Sequence, residues 1–322
     1  MPVKDQIKQA VTLFFKGTLM GLADIVPGVS GGTIALITGI YEDLIFALSS
    51  LDVRVILDLV QLDFQTLRRR LSKMQWGFLV PLGGGIGLVL LVGSRGVRFL
   101  IQRFPGYTYS FFCGLILASA YVIYARVGTK SIRLLPPFAA GIALAVGMAT
   151  APHLSAGHGG VALFFVGSIV ACAMILPGIS GAFLLLLLGR YEFLLEVIYQ
   201  PLHNMGHLAL FLGGAAAGLL TFTKALAYLL RRFRRGTLSF LGGLMLGALS
   251  RPLDTIVENP FPAGSGMQWD EVTITIAVTA GLIGAGLVTL LHVSQGKRGR
   301  GDRGLELKRE VEDGAASREG GL

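Results

Sequence analysis

The sequence predicts an all-α polytopic membrane protein built from two inverted repeats, each a broken or re-entrant helical hairpin followed by three transmembrane helices. Three observations carry that fold class. The 322 residues are 53% hydrophobic and only 15% charged, with a mean hydropathy of +0.68, too apolar for a soluble chain of this length. No Asp, Glu, Lys or Arg occurs from 134 to 189, and further uncharged runs cover 77–94, 104–125, 197–223 and 272–296. Most of these are long enough to cross about 30 Å of hydrocarbon at 1.5 Å per residue. Finally, Pro27-Gly28-Val29-Ser30-Gly31 followed by Gly39-x-Tyr41-Glu42 recurs as Pro177-Gly178-Ile179-Ser180-Gly181 followed by Gly189-x-Tyr191-Glu192. Residues 22–45 and 172–195 align without a gap and match at 11 of 24 positions.

The elements follow in order. In the first half, 8–24 and 31–50 form the hairpin, and 76–94, 105–125 and 135–151 the three helices. In the second half, 160–175 and 181–199 form the hairpin, followed by 207–230, 236–250 and 272–293. The duplication continues beyond the hairpins. Leu82-Gly83-Gly84 recurs as Leu212-Gly213-Gly214, and Thr108-x-Ser110-Phe111-x-x-Gly114-Leu115 recurs as Thr237-x-Ser239-Phe240-x-x-Gly243-Leu244. The 15 uncharged residues 236–250 are short for a span and must borrow from their flanks. The domain division is 1–151 for the first repeat, 152–295 for the second and 296–322 for a polar, Gly-rich cytoplasmic tail expected to be disordered. The amino terminus lacks the apolar core and small-residue cleavage site of a signal peptide.

Charge in the connections sets the orientation. Arg68-Arg69-Arg70 with Lys73, then Arg126, Lys130 and Arg133, then Arg231-Arg232 with Arg234-Arg235, and the tail from Lys297 are basic, whereas 151–159 and 200–207 hold no Lys or Arg. Placing the basic connections in the cytoplasm puts both termini inside. Arg95, Arg98 and Arg103 run against that assignment. An odd number of crossings per half makes the repeats inverted, an arrangement that lets one fold open to either face in turn. The parity survives if each hairpin spans the membrane completely.

Paired breaks at matched depth in two membrane halves point to a transporter's binding site. Pro27-Gly28 and Pro177-Gly178 stop the first helix of each hairpin, because Pro lacks the N–H and Gly accepts unusual dihedrals. Irregular backbone at membrane depth is tolerated only where protein or a wet cavity satisfies it. The second helix then begins near Ser30 or Ser180 as N-cap, with open amides beyond it that favour an anion, phosphate above all. The candidate substrate-binding residues are therefore Ser30, Gly31, Gly32, Thr33, Ser180, Gly181 and Arg190. Tight turns that merely let helices approach closely would use the same small residues.

Charges inside apolar stretches are the second signal, since each costs at least about 2.5 kcal/mol near the bilayer centre. Asp24 falls at the carboxyl end of the first half-helix, where the helix dipole disfavours a carboxylate. It is expected to be protonated, cation-bound or paired, with Lys16 a distant candidate partner. The second repeat has Met174 there. Arg190 replaces Ile40 of the first repeat and supplies a planar donor suited to phosphate. Glu42 and Glu192 recur in both halves, about 16 Å of helix from the breaks, and join Asp24 as candidate ion-coupling residues. Pairing with neighbours or snorkelling is the alternative for both glutamates. Cys113 and Cys172 read as buried apolar residues, and His153 and His158 match no metal-ligand or catalytic set.

The stretch Leu22-Ala23-Asp24-Ile25-Val26-Pro27-Gly28-Val29-Ser30-Gly31-Gly32-Thr33, with Gly39-Ile40-Tyr41-Glu42, resembles the signature of the PopT family of bacterial and archaeal membrane proteins, formerly a domain of unknown function. The resemblance covers residues 5–295. It implies recycling of polyprenyl phosphate, chiefly undecaprenyl phosphate, from the outer to the inner leaflet of the cytoplasmic membrane for cell-envelope glycan synthesis. The expected partners are that lipid, membrane lipids and a coupling proton or sodium ion, with no cofactor, metal or nucleic acid. Two other classes compete. An anion channel or small-anion transporter would need a continuous hydrated pore. A lipid-phosphate enzyme would need a nucleophile with an acid/base pair, and no such spacing is present.

Overall fold

The computed structural model describes residues 3–26, 29–51, 63–72, 74–127, 131–151, 159–199, 204–258, 260–261 and 268–290. Pro27, Gly28, His153, His158 and the tail lie outside these. The described residues are helical throughout their regular elements. Helix α1 (Val3–Ile25) leads to α2 (Gly31–Ile37) and α3 (Tyr41–Ser49), and α4 (Phe64–Ser72) carries the first basic run. Next come α5 (Trp76–Leu88), a π-helical turn (Val89–Gly93) and α6 (Ser94–Arg103), then α7 (Pro105–Val127) and α8 (Leu135–Thr150). The second half contains α9 (Gly160–Ile175), α10 (Gly181–Leu187), α11 (Tyr191–Tyr199), α12 (Met205–Arg232), α13 (Arg234–Gly247) and α14 (Ser250–Glu258). It closes with α15 (Glu271–Leu290).

Six segments are long and apolar enough to cross a membrane: 76–93, 105–125, 132–150, 205–232, 234–258 and 271–290. The protein is a multi-pass membrane protein. The short 236–250 run does borrow from its flanks, since α13 and α14 together make a 25-residue segment.

The segments expected as single helices over 31–50 and 181–199 are each broken once more. Helix α2 ends at Ile37 and α3 leaves it at 119°, with Gly39 at φ 72°. The second copy repeats the device, with Gly189 at φ 63° between α10 and α11. A residue with a β-carbon is strained in that left-handed region, so the glycine of each Gly-x-Tyr-Glu phrase is a helix stop. Consequently Glu42 and Glu192 do not lie 16 Å along a straight helix from the breaks. Each sits beyond a bend.

The halves interleave. Gly141 on α8 packs so closely on α13 that a β-carbon would collide with the Phe240 carbonyl, and Gly284 on α15 meets the matching Phe111 carbonyl on α7 in the same way. Each repeat thus lends its last helix to the other. Helix α12 spans the assembly: near its first turn His207 meets the Phe193 ring of α11 at 5.5 Å, and near its last turn Arg231 lies 5.0 Å over the Phe46 ring of α3. About 36 Å of helix separates those two contacts.

Candidate functional site

Helix α1 stops before the first break, and α2 folds back along it. Ser30, in extended conformation (φ −132°, ψ 140°), is the N-cap and accepts from Gly32 N at 3.1 Å. Asp24 Oδ1 accepts from Gly31 N at 2.6 Å. The Asp24 carboxylate therefore does not face the unfavourable end of α1 alone; it closes the favourable end of α2, where amides point outward. At the other end of α2, Lys16 Nζ donates to Thr38 O at 2.9 Å. That satisfies a terminal carbonyl and accounts for Lys16 without a bond to Asp24.

The two breaks meet. Ser30 Oγ lies 3.2 Å from the Leu176 carbonyl and 3.5 Å from that of Met174, and Thr33 Oγ1 accepts from Gly178 N at 3.1 Å. Ser30 and Thr33 are each 1% exposed. Gly32 lies so near that a β-carbon would come within 2.5 Å of the Ile175 carbonyl. The Leu176 carbonyl and the Gly178 N–H of the second break are thus satisfied by hydroxyls of the first, as burial demands.

The second break differs. Gly178 adopts φ 87°, and Ser180, the N-cap of α10, makes no capping side-chain bond. Met174 stands where Asp24 stands in the first repeat, and its side chain covers Gly181. A small cleft beside this break is lined by Gly178, Ile179, Ser180, Phe183, Ser250 and Arg251 among others. The Arg251 guanidinium lies 4.6 Å over the Phe183 ring and donates through Nη2 to the Ala149 carbonyl. Sequence reasoning passed over Arg251, because it stands at the edge of the uncharged run 236–250 and reads as an ordinary flank. The signal was its position inside a span that had to be longer than that run.

Ser30, Gly31, Gly32, Thr33 and Gly178 are brought together, with Ser180 and Gly181 beside the second break. Arg190 is not: it is 6% exposed at the far end of α10, its guanidinium 5.7 Å from the Phe193 ring. Glu42 joins Arg234 in a fork, with Nε at 2.9 and 3.0 Å from the two carboxylate oxygens and Nη2 at 2.6 Å. That pair ties α3 of the first half to α13 of the second. Glu192 is exposed. Cys113 and Cys172 are free thiols. Among the described residues no group of three His, Cys, Asp or Glu could hold a metal.

Comparison with known proteins bears on this arrangement. A sequence profile described as undecaprenyl phosphate translocase-like matches residues 20–259. The chain is 37% identical over 241 residues to a polyprenyl-phosphate transporter of Vibrio cholerae serotype O1, covering 75% of this chain and 77% of the relative. It is 30% identical over 256 residues to a polyprenyl-phosphate transporter of Staphylococcus aureus strain NCTC 8325, covering 73% and 83%. Both relatives carry names of transporters, not enzymes. No solved structure matches at a significant level.

Proposed function

The chain belongs to the undecaprenyl phosphate translocase-like family, and on that footing we propose that it returns polyprenyl phosphate, chiefly undecaprenyl phosphate, from the outer to the inner leaflet of the cytoplasmic membrane. One observation carries the reading beyond the relatives' names: the two helix breaks touch, through Ser30 with Leu176 and Thr33 with Gly178. Polar backbone from both halves converges at one buried point, as a transporter with a central site requires. The helices that follow the two bends, α3 and α11, meet α12 at points about 36 Å apart along it, which supports inverted repeats and hairpins that enter from opposite faces. Both termini are then cytoplasmic.

The headgroup binds beside the second break, at Ser180 and Gly181, and reaches the Gly31 amide across it, while Ser30, Gly32 and Thr33 hold the two breaks together and the isoprenoid chain stays in the bilayer. Bare phosphate never crosses hydrocarbon. Asp24 already occupies the Gly31 amide, so it competes with the substrate for the same donor. A proton or sodium ion that neutralises Asp24 weakens its hold and frees the amide, which couples the ion to the lipid. Arg190, at the far end of α10, meets the headgroup only after it has moved about 10 Å along that helix.

Purified protein in liposomes, with labelled undecaprenyl phosphate in one leaflet, tests the reading. Transfer should exceed that of protein-free liposomes and respond to an imposed proton or sodium gradient. Transfer no faster than in protein-free liposomes overturns it.

A further inference from the structure

We propose that Arg251 is the cation that holds the phosphate monoester, with the Ser180 hydroxyl as its second donor; for a lipid headgroup the proposal rests on the function given above. The position is specific. Arg251 follows the uncharged run 236–250 directly, in the first turn of α14, which also carries Asp254 and Glu258. In the register set by Thr108 and Thr237 its counterpart in the first repeat is Val122, so the cation belongs to one break only. The opposite break holds the carboxylate of Asp24 instead.

The guanidinium is oriented before any ligand arrives. Stacking on Phe183 at 4.6 Å fixes its plane, and the bond to the Ala149 carbonyl fixes its rotation. Arginine has five N–H donors, and among the described residues the others have no protein partner. The side chain is exposed at the mouth of the cleft it shares with Ser180. Ser180 is 7% exposed and makes no capping bond, whereas Ser30 spends its hydroxyl on Gly32 and Leu176. No carboxylate lines the cleft among the described residues. A planar donor fork that makes no ion pair among the described residues and a spare hydroxyl suit two oxygens of a phosphate monoester. The whole cleft holds about 20 Å³, room for one water, so the anion itself sits on Arg251 at the mouth. Through that water Ser180 reaches an oxygen of an anion seated on Arg251.

The test measures binding to the purified full-length protein of three probes: undecaprenyl phosphate, undecaprenol and inorganic phosphate. Arg251→Gln should weaken undecaprenyl phosphate binding about ten- to hundredfold, the effect of one charge-assisted donor pair, and leave undecaprenol binding and the melting temperature unchanged. Arg251→Lys should recover part of the loss, because it keeps the charge without the fork. Ser180→Ala should cost less than Arg251→Gln. If Arg251→Gln lowers the melting temperature, the lysine and Ser180→Ala variants decide in its place. Affinity within twofold of the parent in Arg251→Gln, or equal losses for undecaprenyl phosphate and undecaprenol, overturns the assignment. Inorganic phosphate bound in an Arg251-dependent way, with neither lipid bound, keeps the phosphate seat and overturns the lipid reading. A parent that binds no phosphate compound overturns both.

Discussion

Asp24 Oδ1 accepts a 2.6 Å hydrogen bond from Gly31 N–H, so the carboxylate that ends α1 closes the start of α2. The matching pair in the second repeat is Met174 on Gly181, which offers neither charge nor acceptor strength. Asp24→Asn keeps an oxygen for Gly31 but cannot exchange a proton. It should unfold near the parental temperature, bind lipid at least as tightly as the parent because the neutral amide holds Gly31 less strongly, and transport at a rate indifferent to an imposed proton or sodium gradient. Gradient-dependent transport at the parental rate in this variant removes Asp24 from coupling.

Gly32 packs the first break against the second, with the Ile175 carbonyl 2.5 Å from where a β-carbon would lie. Neither partner is a flexible side-chain end, so Gly32→Ala must separate the breaks. The expected loss is about 1–3 kcal/mol, read by thermal or denaturant unfolding. Gly83→Ala on α5, with nothing within 4 Å of the new carbon, serves as control and should lose nothing. Equal stability in the two variants would show that the breaks do not pack as described.

The Glu42–Arg234 fork joins the halves at a rim, with the Arg234 side chain 56% and that of Glu42 30% exposed. Solvent screening limits such a pair to about 0.2–1 kcal/mol in a double-mutant cycle. Glu42→Gln should therefore retain gradient-dependent transport, and the charge swap Glu42→Arg with Arg234→Glu should restore the coupling energy. Loss of gradient dependence in Glu42→Gln, with stability intact, would give Glu42 the ion-coupling role that its recurrence in the sequence suggests.

Arg190 and Arg251 stand at opposite ends of α10. Because Arg190 is buried beside Phe193, Arg190→Ala should slow leaflet transfer and leave equilibrium affinity near the parental value. A loss of affinity larger than that of Arg251→Gln would return phosphate capture to Arg190.

Tyr41 is 2% exposed, and its hydroxyl has no hydrogen-bond partner among the described residues. An unpaired buried hydroxyl is costly. Tyr41→Phe should thus melt at or above the parental temperature. If it melts so but transports poorly, the hydroxyl serves the transport cycle.

The duplication and the spans were legible because hydropathy and repeated phrases are local properties. Residues 160–175 coincide with α9, and 105–125 fall within α7. The bends at Gly39 and Gly189 were not read, since apolar sequence continues through both and one glycine inside a helix is tolerated. Their signal lay in the repetition of Gly-x-Tyr-Glu itself. Asp24 was recognised as anomalous, but its partner required the chain to fold back, which no periodicity reports. Arg251 was missed for a related reason: only the third dimension brings α14 beside Ser180. The exchange of α8 and α15 was likewise hidden, because small-residue faces occur on most of these helices and do not name their partners.

That exchange sets a schedule for biogenesis. Helix α7 is synthesised early, yet the helix that covers Gly114 and the Phe111 carbonyl is α15, whose Gly281 and Gly284 emerge about 170 residues later. Until then α7 stands in the bilayer with its glycine face turned to lipid, as α8 does until α13 arrives. Insertion and assembly are therefore separate events, and the last helix acts as the closing stave. A ribosome that stalls before α15 releases a chain whose every earlier span can be in place while its first half is still unsealed, and that unsealed face is what membrane quality control would meet.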